Sequence, residues 1–222
     1  MIVTLLGATG LVGGYVMKFL EASDDVSKLI LPVRNIPEGA SNTEKVEWIK
    51  VDFDSIKNYK DAFAADAVIC CLGTTIKKAG SKKALEHVDL EIPLACAALA
   101  KANNVRHFLV ISAQGANQAS PYHYNRTKGL LEQGLSLMGF PSLTIVRPSL
   151  LLGKRKEKRI LEGILQKVLS RNLLLIPASW RPVFAETVAA VIVAALQYPP
   201  EGTHIIYNRT IAQSEIKTVP IH

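Results

Sequence analysis

The apolar run Ile2-Val3-Thr4-Leu5-Leu6 passes directly into Gly7-Ala8-Thr9-Gly10-Leu11-Val12-Gly13, and this junction constrains the fold more than any other stretch. Its glycines are spaced GxxGxxG between a strand-like run and an amphipathic, helix-like one. Gly7 permits a tight turn off the strand. Gly10 has no Cβ, so backbone there can approach a pyrophosphate closely. Gly13 allows the following helix to pack against the strand. The free N–H groups of the helix start, through Thr9, Leu11 and Val12, then face the phosphates. Strand, glycine turn and helix in this order predict a dinucleotide-binding unit.

The chain has 222 residues, enough for one domain over 1–222, in which the part after about residue 150 adds a small substrate lobe. No apolar run is long enough to span a bilayer, and Thr187–Leu196 is too short and follows Glu186. Met1–Leu6 lacks the basic start of a signal peptide. Cys70, Cys71 and Cys96 are odd in number and lie in apolar stretches, which reads as buried thiols, a cytoplasmic location and no metal site. The net charge is +7, much of it in the run Lys154-Arg155-Lys156-Glu157-Lys158-Arg159. No aromatic residue interleaves with that run, so a solvated loop is favoured over a nucleic-acid surface.

Apolar strands alternate with helical stretches. Strands are expected at Val26–Val33, Val46–Val51, Ala67–Leu72, His107–Ile111, Leu143–Val146 and Thr203–Tyr207. Helices are expected near Ser55–Phe63, from before Pro93 to Asn103, and over Pro121–Met138, Ile160–Leu169 and Glu186–Leu196. This alternation predicts an α/β fold, a doubly wound and mostly parallel sheet of the Rossmann type.

Ligands of such sheets bind at the carboxyl ends of the strands. The second strand ends in Arg34 with no acid beside it, which suits a ribose 2′-phosphate better than a free 2′-hydroxyl and predicts NADP(H). The third ends in Asp52-Phe53, which suits adenine, although Asp52 equally suits a helix cap. The fourth ends in Leu72-Gly73-Thr74, where Gly73 allows close approach of a cofactor. The fifth ends in Ser112, and Tyr124 and Lys128 follow at i and i+4 on one helical face. An ammonium near the phenol lowers its pKa, and a serine hydroxyl can hold a carbonyl oxygen during hydride transfer. Trp180, Arg181 and Phe184 suit a pocket wall or ordinary packing equally.

The glycine turn, Ser112 and the Tyr124–Lys128 pair resemble the short-chain dehydrogenase/reductase superfamily. Arg147-Pro148-Ser149-Leu150-Leu151-Leu152-Gly153 is similar to the RPxxxxG segment of its extended and atypical branches. Cys70-Cys71-Leu72-Gly73-Thr74-Thr75, Lys78-Ala79-Gly80 and Val88-Asp89 resemble the Tat-interacting oxidoreductase-like atypical subgroup. The resemblance covers about the first 155 residues well. It implies cofactor contacts at Arg147 and Pro148, and a site in which Ser112 orients a carbonyl, Tyr124 donates a proton and Lys128 holds ribose. Many relatives carry Asn where Val88-Asp89 stands, to support a proton relay, so Asp89 either serves this differently or only caps a helix. The expected function is NADP(H)-dependent reduction of a small carbonyl or oxidation of an alcohol. The alternative is a non-catalytic NADP-sensing module with a protein partner.

Overall fold

The computed structural model describes residues 1–153 and 177–218. Its main sheet holds seven parallel strands among these residues: β1 (Ile2–Leu6), β2 (Lys28–Val33), β3 (Val46–Lys50), β4 (Ala67–Cys70), β5 (His107–Ile111), β6 (Ser142–Arg147) and β9 (Gly202–Tyr207). The spatial order is β3-β2-β1-β4-β5-β6-β9. The chain winds outward from β1 to β3, then returns to β4 and winds the other way. The reversal falls between β1 and β4, so the crevice beyond their carboxyl ends is the natural ligand site. Two further residue pairs, β7 (Leu151–Leu152) and β8 (Val183–Phe184), form a small parallel ladder.

Period-two alternation divides the sheet between two cores. Leu5, Leu29, Leu31, Ile69, Leu109 and Val146 face one side, where α1 (Leu11–Ala22), α6 (Ala185–Gln197) and Ile211 of α7 (Asn208–Thr218) cover them. Leu6, Ile30, Val68, Cys70, Phe108 and Ile145 face the other side, under α4 (Ile92–Ala102) and α5 (His123–Leu137). Pro93 lies in the first turn of α4, as its missing N–H requires.

The expected helix at Ser55–Phe63 is instead a 3₁₀ stretch, Phe53–Phe63, interrupted at Ser55 and Tyr59. Asp52 accepts a hydrogen bond from the Asp54 N–H at 3.0 Å and starts it as a tight turn. Ahead of α4 the chain forms α2 (Ile76–Ala79), α3 (Lys82–Glu86) and a wide π-type turn, His87–Glu91. Gly80, at φ +80°, ends α2. In the C-terminal part, β9 and α6 complete the main layers. The expected helix at 160–169 and the basic run at 154–159 lie outside the described residues.

His107 opens β5, almost fully buried, with Nε2 3.0 Å from Thr144 Oγ1 on β6. Burial lowers its pKa from 6.5 to about 4. Between those values the unfolded chain takes up a proton that the folded one refuses, so stability falls as pH drops through this window and is level above it. The loss amounts to about 3 kcal/mol by pH 4. Denaturant unfolding at pH 7 and pH 4.5 should show a smaller acid loss in His107→Gln than in wild type. Equal losses would contradict the assignment.

Candidate functional site

The cradle starts at Gly7, whose φ of +82° turns the chain sharply off β1. A Cβ there would stand 2.8 Å from the Cys71 carbonyl, so the β1 and β4 ends touch at this point. The Gly10 N–H donates to the Gly7 carbonyl at 2.8 Å and closes the turn. A Cβ on Gly13 would lie 2.1 Å from the Gly7 oxygen, which fixes α1 against the turn. A Cβ on Gly10 would meet only that oxygen, at 3.0 Å, so Gly10 presents bare backbone to open space. It precedes α1 and gives no side-chain cap, leaving the N–H groups of the first turn for an anion. Thr9 is exposed, whereas Val12 packs in the core and Leu11 lies over Gly153. These two therefore serve the cradle through their backbone.

Beside the cradle lies a groove of about 490 Å³, lined by Gly7, Thr9, Arg34, Phe53 and Leu72. A second, of about 540 Å³, continues from it past Lys50, Asp52 and His87, and Arg34 and Phe53 border both. Lys50 escaped the sequence reading. It enters because β2 and β3 pair Val33 with Lys50, and Arg34 and Lys50 line the same groove. His87 was also not anticipated. Its ring nitrogens lie 2.7 Å from Glu91 Oε2 and 2.7 Å from Asp54 Oδ1, tying the 87–91 turn to the 3₁₀ stretch. Glu91 and then Asp54 hold its pKa above the usual value.

Ser112 directly follows β5 and is buried. Its hydroxyl donates to Glu132 Oε1, deep in the fold. Arg147 grips the same carboxylate in a fork, with Nε donating to Oε1 at 2.9 Å and Nη2 donating to Oε2. The guanidinium also lies 5.6 Å from the Tyr207 ring centroid, over its face. Arg147 thus joins α5, β6 and β9. Pro148 acts through its carbonyl, which accepts from the Gln114 N–H at 2.8 Å and shapes the 112–116 loop. Glu132 lies two helical turns beyond Tyr124 on the same face of α5. A carboxylate on that partly apolar face was the available signal.

Tyr124 is 39% exposed and Lys128, one turn further on, is 2% exposed. Lys128 Nζ lies 2.7 Å from Asp89 Oδ1, and Asp89 is fully buried. The Thr74 N–H donates to Asp89 Oδ2 at 2.8 Å. Asp89 therefore caps no helix start: it lies within the 87–91 turn, between Lys128 and the Gly73–Thr74 loop. A Cβ on the exposed Gly73 would stand 3.4 Å from Asp89 Oδ1 and 3.9 Å from Lys128 Nζ, so the ion pair lies directly beneath this loop. Contrary to the expectation from Lys128 alone, the Tyr124 phenol titrates above its ordinary value. Burial raises it, Lys128 opposes that rise and Asp89 adds to it.

The 177–182 loop carries Trp180 towards Gly115. Trp180 is largely exposed, and a Cβ on Gly115 would stand 3.7 Å from its ring and 2.9 Å from Asn125 Nδ2. Asn208, fully buried, holds this loop by donating to the carbonyls of Ala178 (3.0 Å) and Arg181 (2.9 Å). It also accepts from the Ser149 N–H at 2.8 Å, which joins the loop to the segment after Pro148.

A family profile described as NAD(P)H-binding matches residues 7–199, from the cradle through α6. Protein FMP52, mitochondrial, of Candida albicans is 36% identical over 157 residues, covering 69% of this chain and 68% of that protein. Protein HTATIP2 of Rattus norvegicus is 34% identical over 198 residues, covering 87% and 79%. Among solved structures, MoeE5 in complex with UDP-glucuronic acid and NAD superposes with a TM-score of 0.72 at 13% identity, covering 93% of this chain and 75% of that one. UDP-glucose 4-epimerase of Thermotoga maritima with UDP-glucose gives 0.69 at 13% identity, covering 100% and 84%. These structures show the fold. The cytoplasmic location expected from the cysteines is overturned, because the yeast relatives are described as mitochondrial proteins. A profile match over most of the chain, together with relatives above 30% identity, places the chain in the NAD(P)H-binding family, among the atypical short-chain dehydrogenase/reductases.

Proposed function

We propose that this protein is an NADP(H)-dependent oxidoreductase that reduces a small carbonyl compound or, in reverse, oxidises the alcohol. The observation that carries this reading is the place of Tyr124: a partly exposed phenol one turn from a buried ammonium, which itself lies under the glycine loop at the end of β4. The cradle fits a dinucleotide. Gly10 offers bare backbone where a side chain would intrude, and the uncapped start of α1 offers N–H donors. A bound reduced dinucleotide supplies the hydride. Tyr124 delivers the proton to the carbonyl oxygen. Lys128 supports the ribose end from below, and Phe53 walls the adenine end. Ser112 acts indirectly, holding Glu132 and Arg147 so that α5 keeps its register on β5. The descriptions of the yeast relatives support a mitochondrial site of action.

The preference for the phosphorylated cofactor rests on Arg34 with Lys50 beside it and no acid at the end of β2. In fluorescence titrations NADPH should bind at least about tenfold more tightly than NADH. Arg34→Ala should remove most of that margin, a loss of about 1.5–3 kcal/mol for a charge-assisted contact. Equal affinities for the two cofactors in wild type would contradict the reading. One observation favours a second reading, a sensor of NADP(H) without turnover: the Ser112 hydroxyl is already engaged by Glu132. A sensor binds NADPH and consumes none with any carbonyl.

A further inference from the structure

We propose that Asp89 is a positioning residue for the dinucleotide and for proton donation, acting through Lys128. It lodges the ammonium beneath the Gly73–Thr74 loop and keeps it charged across the working pH range. The proposal rests on the functional reading of Tyr124 and Lys128 above, but its test does not depend on turnover.

The geometry is that of a strut. One carboxylate oxygen of Asp89 takes the Thr74 N–H at 2.8 Å, and the other lies 2.7 Å from Lys128 Nζ. Three chain segments meet there: the loop after β4, the 87–91 turn and α5. The wide turn matters locally, because it places Asp89 inward as the chain passes from α3 into α4. Both partners are buried, at 0% and 2% exposure, so neither charge is solvated. A buried ammonium without a counter-charge gives up its proton more readily. Burial is the largest influence on Lys128 and acts to lower it. Tyr124 and Asp89 together reverse that, and its pKa ends above the ordinary value. The titratable groups that face Lys128 are Tyr124 on its own helix, Asp89 on the 87–91 turn and Cys70 at the end of β4. The Cys70 thiol is pushed up to about 11, mainly by burial, and Tyr124 is raised as well. Asp89 is the one carboxylate among these three, 2.7 Å from the ammonium.

The test is a double-mutant cycle with Asp89→Asn and Lys128→Met, read as NADPH affinity from pH 6 to 9.5 and as carbonyl reduction. Wild type should bind with little change over the upper half of this range. Asp89→Asn keeps an acceptor for the Thr74 N–H but leaves Lys128 unpaired. Its affinity should fall at least about fivefold at neutral pH and further as pH rises and Lys128 loses its proton. In the Lys128→Met background the same change should cost less than about twofold and show no added pH dependence. Should Asp89→Asn alone fail to fold, removing both charges together should restore the fold, because the unpaired ammonium is the cause. Fully additive losses, a wild-type pH profile in Asp89→Asn, or a double variant that stays unfolded would each overturn the proposal. Coupled losses of NADPH binding without turnover by wild type would uphold Asp89 as a positioning residue for the dinucleotide and overturn its part in proton donation, along with the oxidoreductase reading.

Discussion

Gly13→Ala should leave the protein with at least about 100-fold weaker NADPH binding and a melting temperature several degrees lower. The added Cβ would stand 2.1 Å from the Gly7 oxygen, 2.7 Å from the Gly7 carbonyl carbon and 3.2 Å from the Ala8 Cα. All three are backbone atoms, so no side chain can swing aside. Helix α1 must lift off the end of β1. Its first-turn N–H groups move with it, away from where a pyrophosphate would meet them, and Val12 and Val16 are drawn from the core. Gly10→Val separates the two effects. Its Cβ meets only the Gly7 oxygen, at 3.0 Å, and otherwise projects into open space. That variant should keep most of its thermal stability and still lose the dinucleotide. Thermal unfolding and fluorescence titration of both proteins decide the matter. Wild-type affinity in either variant would show that the dinucleotide lies elsewhere.

The cradle was legible because its restrictions are local. Gly7, Gly10 and Gly13 each answer a backbone demand within a few residues, and the strand before them is continuously apolar. The parallel sheet was legible for a related reason: strands buried on both faces, such as Leu29–Val33 and Ala67–Cys70, carry no polar alternation. The Tyr124–Lys128 pair gained meaning only from its place after β5, since its spacing alone is common.

What escaped the sequence depends on tertiary register. Arg147 closes a strand and Glu132 lies mid-helix, and nothing local to either names the other. Their fork also accounts for Ser112, whose hydroxyl goes to the nearest buried carboxylate. Lys50 becomes a neighbour of Arg34 only when β3 pairs beside β2. Asp89 reads as a cap as long as the wide turn before α4 is unknown. The helix α7 is mostly polar, so its pattern gave no warning.

Catalysis at the proposed site turns on whether Tyr124 handles a proton. Tyr124→Phe removes one oxygen and little volume, and the phenol is partly exposed, so the fold and the groove should be preserved. NADPH affinity should stay within about twofold, because the proposed anchors lie in the cradle and at Arg34. Lys128 loses a neighbour but keeps Asp89 at 2.7 Å. The chemical step should suffer most: without the phenolic proton, carbonyl reduction should fall by about 10²–10⁴-fold. The most direct measurement follows the loss of reduced nicotinamide absorbance from NADPH against a panel of quinones, aldehydes and ketones, in wild type and Tyr124→Phe side by side. Wild type should consume NADPH with at least one carbonyl, and Tyr124→Phe should nearly abolish that consumption. No consumption by wild type with any of them, or turnover undiminished in Tyr124→Phe, would contradict this.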